Sequence, residues 1–167
     1  MKSLDEEFCF QASRHLRDDF LPKIEKAVSS LDEPEVWWRP NEVSNSVGNL
    51  LLHLSGNVRQ WIMGGLDQQP DTRTRDVEFA ARGGYLKQQL LERLRTTVME
   101  ASTVIEGLTE EQLMAPLHVQ SYDVSGVKAV IHVVEHFSYH VGQILFITKL
   151  LKNEDLGFYA NLDAKHS

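Results

Sequence analysis

Three histidines, His132, His136 and His140, follow one another at intervals of four in the segment HVVEHFSYHVGQI. On an α-helix that interval stacks the rings on one side, where neighbours can share a metal ion. A fourth, His53, lies in a second stretch with helical apolar spacing. Two imidazoles from one helix and one from another would hold a divalent cation and leave a position for water or substrate. The whole row cannot serve one ion. His132 and His140 are separated by about 12 Å of helical rise, whereas a metal–nitrogen bond is about 2.1 Å, so an adjacent pair is required.

Two pairs compete. His136 and His140 are followed one turn later by Gln143, placed to orient a ligand or a bound water. His132 and His136 instead form HVVEH, the H-x-x-E-H spacing of some zinc peptidases in which the glutamate is the general base. Here the helical wheel turns Glu135 toward solvent, and so short a pattern arises easily by chance in a histidine-rich helix. Taken singly, each histidine is most simply a surface residue or a hydrogen-bonded core residue. The set, with its spacing of four and a partner on a second apolar helix, points to a metal.

The faces of the two helices agree with that. Val130, Val134, Phe137, Val141, Ile144 and Leu145 form one broad apolar face, with the histidines at its border. In the other helix Val47, Leu51, Leu54, Val58 and Ile62 form the buried side, and His53 lies at its edge with Asn49, Asn57 and Gln60. Each helix thus sets a polar strip beside the core, as the wall of a cleft would. Asn49, Asn57, Gln60, His132 and Gln143 are candidates for supporting the ligands or contacting substrate.

The elements that must position these residues are helical. Four long segments carry apolar residues three and four apart, and strand-like alternation never lasts. The first helix is expected from Leu4 to Leu31, with Pro22 as a bend or break. The second begins at Asn45 or Ser46 and runs to Met63, stopped by Gly64 and Gly65. A polar connection over 66–84 carries at most a short helical turn, and its length implies that helices two and three are not simple antiparallel neighbours. The third helix is expected from Tyr85 to Glu106. Thr109 and Gln112 form a capping box for a short helix, and LHVQSYDVSG reads as an extended or turn-rich link. The fourth runs from Ser125 to Leu151, after which the chain is a tail or folds back through Phe158 and Tyr159.

A weak internal echo accompanies this plan. Leu31-Asp-Glu-Pro-Glu precedes a loop, Ser46 and His53; Leu108-Thr-Glu-Glu-Gln precedes a loop, Ser125 and His132. Two such halves would bring helices two and four together at the bundle centre. The expected architecture is all-α: one four-helix bundle over residues 1–167, with a long crossover between helices two and three.

Composition narrows the function classes. Seventeen basic against 24 acidic residues give a net charge of −7, which repels nucleic-acid phosphates, and no basic patch overrides it. No stretch approaches the roughly 18 apolar residues of a membrane span. The opening MKSLDEEF sets acids where a secretory signal needs an apolar core, so a cytoplasmic location is expected. The lone Cys9 has no intramolecular disulfide partner and fits a small core position.

Together, WWRPNEVSNSVGNLLLHLSGN around His53 and HVVEHFSYHVGQI around His136 and His140 resemble the DinB/YfiT-like superfamily of metal-binding four-helix bundles. The resemblance spans nearly the whole chain. It implies that His53, His136 and His140 are the metal ligands, that the long crossover lies between helices two and three, and that the protein is a homodimer. Members include thiol transferases that act with low-molecular-weight thiols, proteins regarded as metal-dependent hydrolases, and many without a known activity.

The expected function is therefore a metal-dependent enzyme acting on a small molecule, with zinc or nickel activating a thiol or water. Thiol transfer is preferred over hydrolysis on the resemblance alone. The rival expectation is a non-catalytic dimeric bundle, with a structural metal or a small-ligand cleft, in which Trp37, Trp38 and Trp61 are packing anchors. In the connecting loop, Arg73, Arg75, Asp76 and Glu78 are expected either to fold over the cleft and select substrate or to lie in a solvated surface loop.

Overall fold

The computed structural model describes residues 2–160, and helices dominate it. The first rod joins α1 (Leu4–Arg14), a π-helical stretch (His15–Phe20) and α2 (Leu21–Ser29). Ser3 and Glu6 start it with a reciprocal capping box. Pro22 does not break the rod, which continues through it without a gap. The turns widen just before it, and Leu21 N–H donates to the Leu16 carbonyl five residues back, which relieves the clash a proline ring makes in an α-helix.

After the short α3 (Glu33–Val36), the second rod consists of α4 (Val47–Val58) and a π-helical stretch (Arg59–Leu66). Ser46, not Asn45, is its cap. Every residue of α4 is buried, because other elements pack around it. The rod outruns its expected stop at Gly64 and Gly65, and the left-handed residue beyond it is Gln68. Gly65 has a packing reason instead: a Cβ there would lie 3.3 Å from Leu117 Cδ1.

The crossover contains α5 (Arg75–Ala80) and leads to α6 (Lys87–Glu106). Thr109 and Gln112 cap α7 (Glu110–Met114) as their spacing predicts. The link that follows is more regular than its sequence suggests: β1 (Pro116–Val119) and β2 (Tyr122–Ser125) pair antiparallel, with Gln120 left-handed in the turn. From the Ser125 cap, α8 (Gly126–Lys152) runs to a left-handed Asn153. Phe158 then packs back against the core while Tyr159 stays exposed; the rest of the expected tail lies outside the described residues.

The first rod packs on α6 and α8, and α4 packs on the same two helices from the other side. Ser13 and Arg17 meet Glu106 while Glu25 meets Arg95, so the first rod and α6 are antiparallel. Trp37, which packs against Gly48 at the start of α4, donates to the Tyr85 carbonyl just before α6, and Arg59 meets Glu100 further along. Hence α4 and α6 run parallel, which requires the long crossover between them. Leu16, Ile24, Leu51, Ile62, Leu94 and Phe137 are among the fully buried residues between the rods. Cys9 is buried there too, and burial pushes its thiol pKa up, as suits an inert core residue. Among the described residues, no helix is long and apolar enough to cross a membrane.

Candidate metal centre

The second rod and α8 run antiparallel, with the Trp61 ring tilted against that of His132 at one end of their contact and His53 facing His136 and His140 further along. His53 Nε2 lies 3.1 Å from His136 Nε2, and His140 Nε2 lies 3.2 Å from the same atom. One ligand nitrogen from each ring falls within 4.8 Å of the other two. His53 and His140 are buried and His136 is half-buried.

The tautomers follow from the partners. His53 Nδ1 lies 3.0 Å from Glu78 Oε2; a carboxylate only accepts, so this nitrogen carries the hydrogen. His140 Nδ1 likewise donates to Gln143 Oε1 at 2.7 Å. Both rings therefore turn an Nε2 lone pair toward His136 Nε2, whose one hydrogen can serve only one of them. Protonation does not resolve the crowding: burial first, then neighbouring His140 and His53, lower the His136 pKa to about 3. Burial also lowers that of His140, against the opposing effect of the hydrogen bond it donates to Gln143. Three neutral imidazoles with converging lone pairs are the donor set a divalent cation satisfies, and these residues fit one.

Behind His53 lies a support that the sequence reading did not connect to it. The Glu78 and Arg73 side chains are buried and form a bidentate pair, with Arg73 Nε and Nη2 each 2.8 Å from a carboxylate oxygen. Arg73 Nη2 and His53 Nδ1 are 3.1 Å apart because both donate to Glu78 Oε2. Burial raises the Glu78 carboxyl pKa, but the hydrogen bonds from Arg73 and His53 outweigh it and hold the group below its ordinary value. Gly56 makes room for the pair: a Cβ there would fall 2.0 Å from Glu78 Oε1. Gly56, one turn after His53, was the local hint in the sequence.

The other expected residues divide. Gln143 reaches the trio through His140. Asn57 and His132 line a cavity of about 330 Å³ beside His53 and His136. Asn49 does not reach the histidines; its amide donates to the Glu78 and Ala81 carbonyls and so anchors the crossover to α4. Gln60 accepts from Arg73 and donates to Asp71, which also ties the loop down. The segment over 67–82 is therefore not simply a solvated loop. Arg73 and Glu78 are packed against His53, Arg75 lies over the Phe79 ring at the cavity, and Asp76 is exposed.

This arrangement, a bundle whose second rod runs parallel to its third, α6, and whose histidines meet between the second rod and the fourth, α8, is a DinB-like fold. Several solved structures share it, among them the following two. One is a conserved protein from Enterococcus faecalis, with a TM-score of 0.73 and 18% identity over 86% of this chain and 96% of that one. The other is the DinB-like protein YjoA from Bacillus subtilis, with a TM-score of 0.67 and 18% identity over 89% and 97%. The family model described as "Protein of unknown function (DUF1572)" matches residues 6–160, and the chain belongs to that family. No curated protein matches it.

Proposed function

We propose that the protein is a metal-dependent enzyme in which His53, His136 and His140 hold a divalent ion through their Nε2 atoms. The convergence of those three nitrogens, two with lone pairs fixed by Glu78 and Gln143, is the observation that carries this reading. Zinc or nickel bound there supplies a Lewis acid that lowers the pKa of a thiol or of water, making either a nucleophile near neutral pH. Glu78 and Gln143 fix the ring orientations. The cavity beside His53 and His136 gives a small molecule access, while Trp61 and Tyr122 shield it with aromatic walls.

Catalysis is preferred to a purely structural metal because the histidine cluster brings three protein ligands, with a cavity against two of them. Thiol S-transfer is preferred to hydrolysis on the family resemblance, with a low-molecular-weight thiol as co-substrate. The same proposal takes the molecule as a homodimer in the cytoplasm. Exposed Tyr139, Phe146 and Leu150, spaced along one stripe of α8, support the dimer.

The test is to incubate metal-loaded protein with low-molecular-weight thiols and a chromogenic electrophile. Acceleration over metal-free protein is expected. Equal rates would remove the transferase version and leave hydrolysis to be assayed with ester and amide substrates.

A further inference from the structure

The cavity beside the histidines differs in charge from the molecule around it. The chain carries a net charge of −7, yet among the described residues the cavity walls hold Arg73, Arg75 and Lys128 and no acidic side chain. Arg73 is committed to Glu78. Arg75 and Lys128 are exposed and form no ion pair among the described residues, so both charges are available to whatever enters. They come from different elements, α5 in the crossover and the first turn of α8.

Two further wall residues point to a ligand. Asn57 and Trp61 are buried, and Asn57 Oδ1 and Trp61 Nε1 find no hydrogen-bond partner among the described residues. A buried acceptor and a buried donor left unpaired each cost stability, and a binding site is where such groups gain their partners. Their chemistry differs from that of the rim. Cations outside and a neutral donor and acceptor inside suit a molecule with a negative group at one end and an amide-like body at the other.

We infer that this cavity is a binding site for a small organic anion, held by Arg75 and Lys128 at its negative end and by Trp61 and Asn57 along a polar body. The inference rests on the reading of this site as the place of chemistry, and it names the class of substrate that site would take. Charge-assisted hydrogen bonds to Arg75 and Lys128 supply the preference for an anion. The indole N–H and the amide oxygen select a body that both accepts and donates.

The experiment compares N-acyl amino acids (N-acetylglycinate, N-acetylalaninate and hippurate) with their uncharged amides by calorimetric titration. Metal-loaded and metal-free protein are titrated in parallel, and metal content is measured in each. At least one acid is expected to bind roughly tenfold or more tightly than its amide in both forms, and this preference should vanish in the Arg75→Ala/Lys128→Ala double variant. Both replaced side chains are exposed, so the variant retains the core. The Trp61 indole N–H resonance, assigned with Trp61→Phe, should move on binding. Equal affinity for acid and amide, no binding of any acid, or an unchanged double variant would each overturn the inference. Metal uptake without anion preference defeats the anion site alone; anion preference without metal uptake defeats the metal reading alone. A preference confined to metal-loaded protein would assign the anion to the metal and remove the role of Arg75 and Lys128.

Discussion

A histidine ring binds a metal well only if its second nitrogen is held, and His53 is held by a carboxylate 25 positions away in the chain. Replacing Glu78 by Gln keeps the shape but removes the charge and sets an amide N–H₂ against either Arg73 or the His53 N–H. Metal affinity should fall about 10- to 100-fold, read by competition with a chromogenic chelator, with the helical circular dichroism retained. Unchanged affinity would mean that the Glu78 charge does not support the ligand. The trio of His53, His136 and His140 was legible in the sequence because spacing of four on a helix is a local fact and the quoted motifs carry a family resemblance. Glu78 was visible only as one charge in a polar loop, since its partner is chosen by how the crossover docks. Asn49 shows the converse: its place beside the polar strip of α4 suggested a contact with the centre, whereas tertiary structure assigns its amide to the loop backbone.

The rods were readable where caps and apolar spacing mark them. Ser46, Thr109 and Ser125 each start the helix their side chain predicts. The π-helical stretches were not, because a widened turn keeps nearly the same apolar spacing and reveals itself only in backbone hydrogen bonds. Nor was the β-hairpin, whose strands are four residues each and lean on Gly65 for their place. Between the first rod and α6, Ser13 and Arg17 bond Glu106 and hold its carboxyl pKa below the ordinary value, the Ser13 bond contributing most. A depressed carboxyl pKa stabilises the fold above the unfolded value and loses that contribution as pH falls through the folded one. Glu106→Gln should therefore destabilise the protein by about 0.5 kcal/mol near neutral pH, a small figure because the group is partly exposed and screened. Denaturation midpoints of variant and parent should converge as the pH drops below the carboxylate range. A gap that stays constant with pH would mean that the charge is not what joins these rods.

At the scale of the whole molecule, the histidine cluster joins the second rod to the fourth, so an ion held there would close the bundle across one of its sides. An ion at about 100 times its dissociation constant adds about 2.7 kcal/mol, which for a chain of this size is roughly 5–10 °C in Tm. Stripping the ion with a chelator should lower Tm by that amount, and adding it back should restore it. The parallel pairing of the second and third rods was implied by the length of the crossover, but its detailed path was not, since that depends on Arg73 and Glu78 reaching into the gap at Gly56. The most direct measurement is elemental analysis of untagged protein alongside His53→Ala and His136→Ala. About one divalent ion per chain is expected in the parent and a loss in each variant; stoichiometric metal retained in both variants would contradict the account.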